Sequence, residues 1–140
     1  MQLGTFGAIL KYAIEIEGKA AEFYAKLSSK ASGDAKAVFS DLSNASSKNA
    51  QALERTRRME MQEMILEAIS GIDTENYEVP CGEADDVKGA IACAIEMETK
   101  AAKFYSDSAS KLSFLANVKR SLEKVGRERL ERVERLKKIA

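Results

Sequence analysis

Two glutamates occupy matching places in two matching stretches. AIEIEGKAAEFY covers residues 13–24 and AIEMETKAAKFY covers residues 94–105, with nine of twelve positions identical. At the helical period, Ala13, Glu17, Ala20 and Tyr24 share one face, and Ala94, Glu98, Ala101 and Tyr105 share another. Ile16 and Phe23 flank the first stripe; Met97 and Phe104 flank the second. A carboxylate on such a face is seldom buried without a partner. A cation, a metal ion or a bound proton would each meet the need. The alternative is that both glutamates are exposed and the core seam lies to one side.

The elements that must position these residues are helices. Ala, Glu, Lys, Leu, Met and Arg dominate and β-branched residues are sparse. The first helix is expected after the N-cap Thr5 and up to residue 31, where Gly33 breaks it. Asp34 then caps a second helix over 35–70, ended by Gly71. Residues 71–85, GIDTENYEVPCGEAD, hold the only proline and form the one long loop. A third helix is expected over 86–111 and a fourth over 113–138. Two helix pairs joined by one crossover predict an all-α, antiparallel four-helix bundle with the ferritin-like connection. The 81-residue offset between the two glutamate stretches makes it one duplicated hairpin, hence pseudo-two-fold symmetric. A single domain over 1–140 accommodates it.

The pattern E-x-x-A-x-x-F-Y, present as Glu17-Ala20-Phe23-Tyr24 and as Glu98-Ala101-Phe104-Tyr105, resembles the first and third helices of the rubrerythrin family, within the ferritin-like di-iron bundles. The resemblance implies that each such glutamate binds iron and that the following helix supplies F-x-x-L-x-x-x-E-x-x-H-x-x-x-L. It also implies that Tyr24 and Tyr105 hydrogen-bond a core carboxylate; packing with the hydroxyl near the helix end is the plainer role. The second helix keeps the frame as Phe39, Leu42 and Leu53, with Ser46 and Asn49 at the two ligand positions. The fourth fits it as Leu122, Val125 and Leu136, which puts Arg129 and Arg132 at the ligand positions. The sequence contains no histidine. The family's site uses about four carboxylates and two imidazoles. Two carboxylates, a hydroxyl and an amide are a poor set for iron.

Electrostatics supply a substitute. Arg129 and Arg132, three residues apart, would aim two guanidinium groups at Glu17 and Glu98, leaving a neutral cluster without a cofactor. Opposite charges ~4 Å apart attract by roughly 4 kcal/mol at an effective dielectric of about 20, before desolvation. Alternatively both arginines snorkel outward from the heavily charged run KRSLEKVGRERLERVERLKK over a plain apolar core.

Other features bound the function. Lys plus Arg and Asp plus Glu both number 22, which argues against nucleic-acid binding. No apolar run reaches the roughly 20 residues that span a bilayer, and MQLGTFGAIL does not read as a signal peptide, so a soluble cytoplasmic protein is expected. Cys81 and Cys93 are expected as free thiols in a reducing compartment. Cys93 lies round the helix from the seam, on a second contact face such as a homodimer interface or on an ordinary flank of the core. The methionines of MEMQEM, residues 59–64, are expected in the core rather than on a partner surface. The chain has no four-cysteine rubredoxin module to donate electrons.

Three functional readings follow. The first is a metal-free, non-catalytic structural or partner-binding bundle. The second is a degenerate oxidoreductase that holds iron or another metal through Glu17, Glu98 and further carboxylates such as Glu15, Glu60 or Glu96, although Glu15 and Glu96 fall on other helix faces, and acts on peroxide or oxygen. The third is a small-ligand or stress sensor using the polar cluster as its pocket.

Overall fold

The computed structural model describes residues 1–61, 68–82 and 86–140. It contains α1 (Phe6–Lys30), α2 (Gly33–Met61), α3 (Val87–Lys111) and α4 (Ala116–Ile139), with a short 3-10 turn at Thr74–Asn76 in the crossover. Thr5 caps α1 by accepting from the Ala8 amide at 3.1 Å. Asp86 caps α3 through the Gly89 amide at 2.7 Å. Gly33 has φ +63°, a left-handed conformation that glycine adopts without strain, and it lets the chain reverse after α1. Asp34 therefore sits within the first turn of α2 rather than at its cap.

The core comes in two apolar plugs with a polar layer between them. One plug includes Leu10, Ala13, Leu53, Ala101, Phe104, Leu122 and Val125; the other includes Ala20, Phe39, Leu42, Ala94 and Leu136. Each helix passes from one plug to the other, and the order gives its direction. The first plug precedes the second along α1 and α4, and the second precedes the first along α2 and α3. So α1/α2 and α3/α4 are antiparallel hairpins, while α2 and α3 run the same way and require a long crossover. The hairpin partners make the most extensive contacts.

The crossover is tied down at both ends of its described part. Backbone bonds join Leu3 to Ile72, Thr74 to Met1 and Ile69 to Gly4, each at 2.9 Å. Tyr77 packs edge-on against Phe104 and its hydroxyl donates to Asp107 Oδ2 at 2.7 Å. Among the described residues no helix is long and apolar enough to cross a membrane.

Several expectations are corrected. Residues 68–70 are not helical, so α2 does not reach Ser70; residues 62–67 lie outside the described set. The fourth helix starts at Ala116, because buried Leu112 anchors the end of the hairpin and the chain turns through 113–115 first. Met59 is 67% exposed rather than in the core. The Met61 side chain and Met64 lie outside the described residues.

The cysteines are not free thiols. Cys81 and Cys93 form a disulfide with their Cα atoms 5.9 Å apart. The loop after Tyr77 returns against the second turn of α3, which brings Cys81 beside Cys93, the residue expected either at a second contact face or on a flank of the core. Closing a loop of 12 residues' separation stabilises the fold by about 3 kcal/mol on the chain-entropy model. Thiol titration of the denatured, unreduced protein should find no free thiol, and reduction should lower the unfolding free energy by up to that amount. Two titratable thiols would refute the bridge.

Candidate functional site: a buried Glu–Arg layer

The repeated helix face of α1 and α3 delivers Glu17 and Glu98 to the layer between the plugs. Ala13 and Ala20 bracket Glu17, Ala94 and Ala101 bracket Glu98, and both glutamates are 0% exposed. The reading that places them on the surface therefore fails. Small alanines on either side let the neighbouring helices close over the carboxylates.

A single guanidinium from α4 reaches both. Arg129 is 1% exposed. Its Nε donates to Glu17 Oε2 at 3.0 Å, its Nη2 donates to the same oxygen, and its Nη1 donates to Glu98 Oε1. The planar fork of arginine suits this bridging, because its donors lie in fixed directions along one plane. The sequence suggested one arginine per glutamate; the structure instead has Arg129 spanning the pair. Arg132, 3% exposed, takes a lesser share: its Nη1 donates to Ser46 Oγ at 2.8 Å and to Glu98 Oε2 at 3.3 Å. Neither arginine snorkels outward.

The tyrosines cross over. Tyr24 of α1 donates to Glu98 Oε2 at 2.8 Å, and Tyr105 of α3 donates to Glu17 Oε2 at 2.7 Å. Each hairpin thus supplies the hydroxyl for the other hairpin's carboxylate. Burial, reinforced by the adjacent Glu98 charge, raises the Tyr24 pKa far above its usual value; burial and then Glu17 do the same for Tyr105. Burial opposes the charge on Arg129, but Glu17 and Glu98 outweigh it and hold that pKa well above normal.

On α2, Ser46 is buried and Asn49 half-buried. Asn49 Nδ2 donates to Glu128 Oε2 at 2.9 Å and more weakly to Glu17 Oε1 at 3.4 Å. Sequence reasoning missed Glu128, and it missed Gly126. A Cβ on Gly126 would lie 3.1 Å from the Cβ of Tyr105, so the bare glycine allows Tyr105 to sit against α4 within reach of Glu17. The available signal was an isolated glycine inside a helical pattern, three residues before Arg129.

Between α1 and α3 a cleft of about 530 Å³ opens under the crossover segment. Ile16, Phe23 and Met97 line it, Lys19 and Glu78 are among its charged residues, and it reaches Arg129.

The donor set can be judged against a di-iron centre. The six positions hold two carboxylates, one hydroxyl, one amide and two guanidinium groups. The last two are obligate cations with no lone pair to offer a metal. Glu15 and Glu96 are exposed and Glu60 is only half-buried. Among the described residues no group of three or more His, Cys, Asp or Glu could hold an ion. These residues do not fit a pair of iron ions while Arg129 lies between the carboxylates.

Two outcomes are expected. Glu98→Ala leaves buried guanidinium donors without their carboxylate and should cost roughly 3–5 kcal/mol of unfolding free energy, measured by denaturant titration. A change within about 0.5 kcal/mol, as at ordinary surface positions, would contradict the cluster. The second concerns pH. In the unfolded chain tyrosine ionises near 10, whereas the fold holds Tyr24 and Tyr105 protonated beyond that. Above about pH 10 the unfolded chain binds fewer protons, so this stabilisation is complete below pH 10 and declines as pH rises. The decline is about 1.4 kcal/mol per pH unit for each tyrosine. Tyr24→Phe should reduce the fall in stability between pH 10 and 11 by about 1 kcal/mol relative to the unsubstituted protein, the full slope being reached only above that range.

Comparison with known proteins agrees with the fold. A crystal structure from Thermotoga maritima, described as a ferritin-like diiron-carboxylate protein, superposes with a TM-score of 0.79 at 20% identity, covering 99% of this chain and 94% of the other. No match to a curated protein was found. The rubrerythrin family model matches residues 8–133, nearly the whole length of the two hairpins. The chain belongs to the rubrerythrin family.

Proposed function

We propose that this protein is a metal-free, non-catalytic member of the rubrerythrin family, in which a Glu–Arg layer takes the place of the di-iron centre and the bundle serves a structural or partner-binding role. The observation that supports it most strongly is Arg129, whose guanidinium contacts Glu17 and Glu98 at once. Arg129 together with Arg132 balances the two carboxylates and repels a further cation, so the pair needs no metal to offset its charge. The Cys81–Cys93 disulfide fits a compartment that is not strongly reducing, in contrast to the cytoplasmic setting expected from the sequence.

The competing oxidoreductase reading draws on the same Glu17, Glu98, Tyr24 and Tyr105. Elemental analysis of the purified protein, followed by anaerobic titration with ferrous iron and exposure to oxygen, separates the two. The expected result is iron far below one ion per chain and no absorbance band from an oxo-bridged pair. Near-stoichiometric iron with such a band would overturn the proposal in favour of the oxidoreductase.

A further inference from the structure

The side of the bundle where α2 faces α4 differs from the rest of the surface. A groove of about 590 Å³ runs between these helices, within the size range of small-molecule sites. Its α2 wall is low because Ala45, Asn49 and Ala52 stand there, and its α4 wall is built of long charged side chains. Five cationic residues line it, Lys48, Arg55, Lys124, Arg132 and Arg135, against two carboxylates, Glu128 and Glu131. In a chain with no net charge, this is a local positive excess.

Two of the five cations are engaged internally, Arg132 with Glu98 and Arg135 with Asp41, which leaves three cations against two carboxylates. Arg135 is paired with Asp41 at 3.1 Å, and Glu128 is engaged by Asn49. Among the described residues Lys48, Arg55 and Lys124 form no ion pair. Beneath them lies Arg132, which lines the groove and is 97% withdrawn from solvent. It spends its Nη1 on Ser46 and Glu98, while its Nη2 has no hydrogen-bond partner. A buried guanidinium nitrogen without an acceptor is a costly omission, because nearly all buried polar groups are satisfied.

We infer that this groove is a binding site for a phosphate-type dianion, either inorganic phosphate or the phosphoryl group of a small phosphomonoester, with the Arg132 Nη2 as the inner donor and Lys48 and Lys124 closing on the anion from opposite helices. Phosphate matches the chemistry: it offers several acceptor oxygens to a guanidinium and neutralises more than one nearby cation. The groove walls also concentrate the field of the clustered positive charges on an entering anion. This goes beyond the structural role proposed above, and it gives the bundle a ligand.

The test is isothermal titration calorimetry on the intact, disulfide-bonded protein, with inorganic phosphate and with phenyl phosphate as probes and ionic strength fixed by chloride. The expected result is saturable one-site binding of at least one probe and a raised unfolding temperature at saturation. The tighter probe tells free phosphate from an esterified source. Arg132→Met risks the core, so the decisive variants are the exposed Lys48→Gln and Lys124→Gln. Each should weaken binding several-fold while leaving the unfolding midpoint in phosphate-free buffer unchanged. Absence of saturable heat with both probes, or affinities unmoved by both substitutions, would overturn the inference.

Discussion

Two carboxylates buried in the centre of a four-helix bundle impose the constraint on which this structure turns. Each ionised carboxylate placed among apolar side chains loses several kcal/mol of hydration. Something at the centre must return that energy. Arg129 does so for both at once, with Tyr24 and Tyr105 completing the acceptor oxygens from the opposite hairpins. Everything around the layer follows from keeping these five groups together. Alanines bracket the glutamates, Gly126 makes room for Tyr105, and apolar plugs at either end keep bulk water away.

The duplication that created the two hairpins is preserved unequally. On α1 and α3 the repeat is nearly verbatim, and the crossed tyrosine–glutamate bonds respect the pseudo-two-fold relation. On α2 and α4 the equivalent positions have diverged in opposite directions. Ser46 and Asn49 are short and neutral, whereas Arg129 and Arg132 are long and cationic. The two changes are complementary in volume: long arginines from one helix fill the space that short residues on the facing helix leave. They are complementary in charge as well, since two arginines balance two glutamates. The site is therefore asymmetric although its scaffold is symmetric. The same asymmetry leaves the shallow, cationic groove between α2 and α4.

Much of this was legible in the residues because the signals were periodic and repeated. The spacing of Ala, Glu and Tyr along residues 13–24 and 94–105 fixed the inward face, and Phe39, Leu42 and Leu53 carried the register of the second helix. Thr5 marked the start of the first helix by capping chemistry that acts over three residues. What the sequence hid were relations without a local signature. Nothing in the spacing of Cys81 and Cys93 says that a loop will return to the second turn of α3. Nothing in a run of five arginines and four glutamates says which arginine will reach two carboxylates and which will keep a donor spare. The ends of helices were also misjudged where propensity favoured continuation, at residues 68–70 and 113–115, because tertiary anchoring of Ile69 and Leu112 decided them.

A buried ion pair rarely adds much net stability over a well-packed apolar pair, since desolvation consumes most of the attraction. The value of this layer lies in register. Sliding one hairpin along the other by a single helical turn, about 5.4 Å, would carry Glu17 of α1 out of reach of Arg129 and Tyr105 and into an apolar plug. Glu17 would then be buried without a partner and Glu98 would lose the Tyr24 hydroxyl, a penalty of several kcal/mol that no shifted apolar contact offsets. Apolar plugs made largely of alanine, leucine and phenylalanine would tolerate such a slip far better on their own. The charged layer makes one alignment of the two hairpins much lower in energy than its neighbours. That explains why a bundle with a donor set unsuited to iron still places six polar side chains where an all-apolar centre would have been simpler to bury.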